Sequence, residues 1–146
     1  MLNLQVIELL AVIVILGIIA AIAIPAIGNI IDNSKKDAHV ANAQQMASSA
    51  RLAVTQTSSL QSGTQYIPLG YLTAQNLIDT IKDPDGGTYT DGGSAVLTSN
   101  PTGSYVKVEA AKVTEVKLVN DTRGIQSAST NDTSVSVSAL SRGDVK

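Results

Sequence analysis

Cysteine, phenylalanine and tryptophan are absent, and beside the single His39 only four tyrosines carry aromatic rings. Without cysteine there can be no disulfide staple, thiolate metal site or cysteine nucleophile. Without Phe and Trp, a chain that is 44% hydrophobic draws its apolar content from Ile, Val, Leu and Ala, which largely rules out aromatic cores and aromatic recognition surfaces. Cations are missing from the start: no Lys or Arg precedes Lys35, and Glu8 is the sole charge before Asp32. A secretory signal would need a basic leading region and a small-residue cleavage site, and Ile-rich sequence stands in its place. Beyond Glu8 the remaining 11 of 12 acidic groups face 10 basic ones, so there is no basic footprint for nucleic acid. Lys107, Lys112 and Lys117 are interleaved with Glu109 and Glu115, and no aromatic pair is available for base stacking. No nucleophile and base stand together, and the chain is expected not to be an enzyme.

What is there begins with Leu9 to Ile24, LLAVIVILGIIAAIAI, sixteen residues without a polar side chain. Val6 and Ile7 before it, and Ala26 and Ile27 after Pro25, bring the run to the roughly 20 residues that span a bilayer. A helix apolar on every side would need a large surrounding core in a soluble domain, more than 146 residues provide. A membrane anchor remains, with unusual punctuation. Glu8 costs about 2.5 to 3.5 kcal/mol if placed at a bilayer centre, less near an interface, and calls for a cationic partner. Gly17 and Pro25 weaken the helix interior, which an anchor alone does not require. Gly17 and Ala21, four apart, with Ala20 and Ala23 beside them, make a face on which helices can approach closely.

The run Ile7-Glu8-Leu9-Leu10, with Gly17 nine and Pro25 seventeen residues after the Glu, resembles the N-terminal signature of type IV pilins and pseudopilins. The likeness covers about the first thirty residues and extends to a Gram-positive type of major pilin that lacks a disulfide. It implies a structural filament subunit that waits in the membrane, is cut by a prepilin peptidase, and is polymerised by an assembly machinery into a helical homo-oligomer at the cell surface. Adhesion, motility or DNA uptake would follow, or, for a pseudopilin, service in a competence or type II secretion machine. It also implies that the processed chain starts at Leu4, four positions before Glu8, and that Glu8 pairs with a neighbour's N-terminal amine. Gly17 to Pro25 would loosen on assembly. Asn3 stands where the family has Gly, Leu4 where it has Phe and Gln5 where it has Thr, and no basic leader precedes them.

Past residue 28 the pattern predicts a head, residues 29–146. From Ala38 to Ser58, Val40, Ala43, Ala47, Ala50 and Val54 recur at steps of three and four, with Met46 and Ala53 beside them, an amphipathic helix. Asp32 to Asp37 reads as a solvated helical turn or as a break. An unbroken helix from about Leu4 to Thr57 would measure about 80 Å. Tyr71 to Ile81 predicts a short helix with Leu72, Leu77, Ile78 and Ile81 inward, stopped by Asp83-Pro84-Asp85-Gly86-Gly87. Alternation predicts strands over Ser104 to Ala110, around Glu115 to Leu118 and over Ser134 to Ala139. The expected class is α+β: a long N-terminal helix packed on a small antiparallel sheet. Asp83, Asp85 and Asp91, three carboxylates within nine residues, are either calcium ligands, as in a loop of secretion pseudopilins that this one resembles, or ordinary turn formers. His39 reads as a solvated side chain on the polar face. Two Asn-x-Thr sequons, at Asn120 and Asn131, fall in expected loops.

Overall fold

The computed structural model describes residues 2–128 and 133–146. Its first element, α1, is helical throughout Leu2–Gln56, so the polar stretch Asp32 to Asp37 is a helical turn and not a break. Pro25 lies inside α1. Its missing N–H leaves the Ala21 carbonyl without the usual partner, and its ring crowds the preceding turn. The chain divides into two units, 1–34 and 35–146, a few residues beyond the boundary read from the sequence.

In the first unit every described side chain from Asn3 to Ile31 is exposed except Ala23, which is half-buried. This is the one helix of the described residues long and apolar enough to cross a membrane, and none of its most apolar window is buried.

In the second unit α1 contributes a buried stripe, His39, Ala43, Met46, Ala47, Ala50, Ala53 and Val54, spaced so that all fall on one helix face. Four alanines keep that face thin, so the sheet comes close and the larger residues of the strands fill the core. The sheet is antiparallel with order β1 (Thr64–Pro68), β2 (Tyr105–Glu109), β3 (Lys112–Val119), β4 (Gly124–Ile125), and β5 (Val135–Ser136) also pairs with β3. Val106, Val108, Val116 and Leu118 point from β2 and β3 into one hydrophobic cluster with Met46, Ala50 and Val54 of α1. The class is therefore α+β, a long helix packed on a small antiparallel sheet.

Four local expectations change. The helix read over Tyr71 to Ile81 is α2, Leu69–Ala74, because Pro68 opens it and Asn76 ends it at φ 55. There the Asn76 and Leu77 amides donate to the Thr73 and Leu72 carbonyls, closing the last turn. Leu72 and Ile78 are still buried, and Leu77 and Ile81 are half-buried against the core. The strand read over Ser134 to Ala139 is cut to two residues, since the chain turns into a 3-10 helix at Val137–Ala139. Lys117 and Tyr105, cross-strand partners on the outer sheet face, are 1% exposed each, and the Lys117 ammonium lies 5.8 Å from the Tyr105 ring centre. Tyr66 meets the same ring edge-on at 5.5 Å, so part of the outer face is covered as well as the inner one. His39 is fully buried, on the same stripe as Ala43 one turn later.

Candidate functional site

Two features hold the chemistry, one in each unit. The first is the apolar length of α1. Helical spacing puts Leu4 and Glu8 one turn apart on one face, with Gln5, Leu9 and Val12 around the carboxylate. The first unit contains no Lys or Arg, so no side chain in it can neutralise Glu8. Gly17 has open space where a side chain would start, with no atom within 4 Å apart from its chain neighbours and the nearby backbone of its own helix. Packing inside this chain therefore does not require glycine there, although glycine costs about 1 kcal/mol in a helix interior. Ala20 and Ala21 are exposed and Ala23 half-buried, so the small-residue face is present and uncovered. The same holds for Pro25, which is exposed and fills no gap in a core.

The second feature is a polar knot in the head that sequence reading did not assemble. The loop after α2 turns at Gly86, whose φ is +89, and places Asp83 and Asp85 beside α1. His39 Nε2 lies 2.8 Å from Asp85 Oδ2, and the Tyr89 hydroxyl lies 2.7 Å from His39 Nδ1. Asn42 Nδ2 donates to the same hydroxyl at 3.1 Å and to the Lys82 carbonyl at 3.0 Å. The pattern suits the imidazole tautomer that donates from Nε2 to the carboxylate and accepts the phenol proton at Nδ1. Burial, the largest influence, pushes the Tyr89 phenol up to about 12, which keeps it a donor at neutral pH.

Arg123 closes the knot with two hydrogen bonds to Asp85, Nε to Oδ2 at 2.9 Å and Nη2 to Oδ1 at 2.7 Å. That guanidinium is the main reason the Asp85 carboxyl is held well below the usual carboxylate range, with His39 and Asn120 adding to it against the effect of desolvation. Asn120 donates from Nδ2 to Asp83 at 2.7 Å and to Asp85 at 3.2 Å, and its Oδ1 accepts the amides of Thr122 and Arg123. The Asn120 amide nitrogen is thus engaged in the folded head, which gives this sequon a structural role. The sequon at Asn131 lies outside the described residues.

Of the three carboxylates read as candidate calcium ligands, Asp83 and Asp85 come together and Asp91 does not join them. The ligand atoms of His39, Asp83 and Asp85 lie within 4.8 Å of one another. Asp91 is exposed, accepts the Gly93 amide at 3.2 Å and offers its backbone carbonyl to Gly70. The donor set fits calcium poorly. One donor is an imidazole nitrogen, both Asp85 oxygens are held by Arg123, and the oxygens left over fall short of the six to eight that calcium takes. Arg123 supplies the positive charge that these carboxylates need. The knot therefore ties the loop to α1. A clue lay in the sequence: His39 precedes Ala43 by four and so belongs to the buried stripe. Its partner Asp85 is 46 positions away and left no trace. No protein-family model matches the chain, and no curated protein or solved structure shows significant similarity to it.

Proposed function

We propose that this chain is a pilin, the structural subunit of an extracellular type IV filament, which assembles by bundling the apolar part of α1 from a membrane-inserted precursor. The observation that carries the reading is a membrane-length helix that is bare on all sides among the described residues and contains three residues, Glu8, Gly17 and Pro25, that no packing contact among those residues requires. Lipid tails are about as apolar as leucine, so moving residues 9 to 24 from bilayer to filament core changes hydrophobic burial little. Assembly is then decided by close packing, by contacts between heads and by charge.

Each of the three residues has a use once helices bundle. Gly17, Ala20 and Ala21 let neighbouring backbones approach and gain dispersion contacts that lipid does not match. Glu8 finds a cation in the N-terminal amine of an adjacent subunit, at Leu4 after processing, and the pair sets the register of docking. Gly17 and Pro25 bound a stretch of weakened helix whose hydrogen bonds can open as the subunit is drawn into the filament. A prepilin peptidase and the pilus assembly machinery are the implied partners, and adhesion, motility or DNA uptake the implied uses.

The test is electron microscopy of cells that express the chain with an epitope on the head, together with shearing and membrane fractionation. Labelled surface filaments are expected, with the remaining subunit in the membrane fraction. Short labelled structures confined to the envelope would assign the chain to the pseudopilins of a secretion or competence machine. Subunit found only as soluble monomer would remove the proposal.

A further inference from the structure

Among the charges of the head outside its ion pairs, two groups line concave surfaces. One is a groove of about 550 Å³ between α1, the start of β3 and the turn after β5, with Arg51 and Lys112 on its rim and Val113, Val137 and Ser136 among its walls. Both cations are exposed, and among the described residues neither makes an ion pair or a side-chain hydrogen bond. Lys107, Arg123 and Arg142, by contrast, are engaged with Glu109, Asp85 and Asp37. The other feature is Asp121, exposed and likewise without a partner among the described residues, on the lip of a cleft of about 170 Å³ that also meets Asp83 and Asp85.

These two features lie at different levels of the head. The knot that holds the Asp121 cleft contacts α1 at His39, and the groove contacts it at Arg51. Twelve residues of helix separate those levels, about 18 Å along the axis. We propose that the Arg51/Lys112 groove of one head receives the Asp121 edge of a second copy of this chain. Opposite charge selects the pairing, and the valines that line the groove add apolar contact. Because the two surfaces differ, the contact is head-to-tail and can repeat from copy to copy, and the offset of their levels along α1 suits the open, helical repeat of a filament. The inference rests on the filament reading and names the head surfaces that meet in it.

The native chain has no cysteine, so introduced thiols have no background. Full-length Lys112→Cys/Asp121→Cys is assembled, and sheared filaments are treated with a short bismaleimide. A ladder of dimers, trimers and higher species is expected, with each single variant left as monomer. Dimers alone would overturn the head-to-tail geometry, and monomers alone from intact filaments would overturn the contact while leaving the filament reading in place. If the wild-type chain stays in the membrane and forms no filaments, the filament reading fails and the contact with it. A second measurement uses charge. Arg51→Glu/Lys112→Glu is expected to lower the yield of sheared filaments about tenfold or more through like-charge contact with Asp121, and adding Asp121→Lys to restore it. All three positions are exposed, so the head folds in every variant. An undiminished yield from the double reversal, or a triple variant no better than the double, would also overturn the contact.

Discussion

Glu8 is the residue on which insertion and assembly part company. Near a membrane interface its charge costs little, because water reaches it. Enclosed by helices without a partner it would be penalised by about 3 to 5 kcal/mol, and a nearby amine offsets that. Glu8→Val removes a charge from an apolar run, so the variant is expected in the membrane at wild-type level while the ratio of sheared filament to membrane-bound subunit falls. Glu8→Lys, which sets two cations together, should assemble less well still. Wild-type filament yield from Glu8→Val at normal expression would leave apolar packing alone to explain assembly. Asp85 acts within the head. Replacing it with Asn removes the charge that Arg123 and His39 address, at a cost of about 1 to 2 kcal/mol, less than for a fully buried pair because Asp85 and Arg123 keep some contact with water. Since the folded Asp85 carboxyl is held well below its unfolded value near 3.9, the unfolded chain takes up the proton first as pH falls. The stability it supplies is whole above about pH 4 and is lost progressively below it. Denaturant midpoints of the detergent-solubilised chain should therefore fall further between pH 6 and pH 3 in wild type than in Asp85→Asn. Equal falls would mean that the Arg123 pair is not formed in solution.

At the level of elements, the β2–β3 hairpin contains a built-in weakness. Its two-residue turn is Ala110-Ala111, with φ of 48 and 66, a left-handed pair that alanine adopts at a cost of about 1 to 2 kcal/mol per residue. Both side chains are exposed, and the Ala110 amide donates to the Gly63 carbonyl, a bond any residue but proline keeps. Ala110→Asn/Ala111→Gly is expected to stabilise the head by about 1 kcal/mol and to raise Tm by about 4 to 8 °C. An unchanged Tm would contradict the left-handed turn. Long periodic elements were the ones legible in the sequence. The α1 stripe repeats over about four turns and β2 and β3 alternate cleanly, so spacing alone identifies the faces that meet in the core. β1 escaped because Thr64–Pro68 carries one buried aliphatic side chain, Ile67, and ends in a proline, while β4 and β5 are too short to show a period. The end of α2 falls earlier than spacing suggests because Asn76 already takes the left-handed conformation, ahead of the turn that Gly86 makes in the Asp-Pro-Asp-Gly run. The burial of Tyr105 and Lys117 was not legible, because alternation alone says nothing of whether the second face of a sheet is covered.

For the molecule as a whole, the decisive fact is that the core owes nothing to the first unit. Every residue of the hydrophobic cluster lies at or beyond Val40, and no described side chain before Ile31 is buried. Removing residues 1–28 therefore deletes no core contact and strips away the surface that requires lipid or neighbouring helices. What remains of α1 starts well: Asn29 suits the cap position and Asp32 falls in the first turn, where a carboxylate complements the helix dipole. The polar knot and the Arg142–Asp37 pair also lie wholly beyond residue 34 and keep the loop and the C-terminal segment against α1. A fragment covering residues 29–146 should accordingly be a soluble monomer that unfolds in one cooperative transition, with a Tm within a few degrees of the head transition of the detergent-solubilised chain. It should also fail to form filaments at any concentration, since head contacts remain but the bundling helix is gone. Size-exclusion chromatography and thermal melting read the first expectation, and microscopy of concentrated fragment the second. Aggregation without a cooperative transition would show that the alanine stripe is not the face that meets the sheet, and filaments of the fragment alone would show that heads, and not the apolar helix, hold the polymer together.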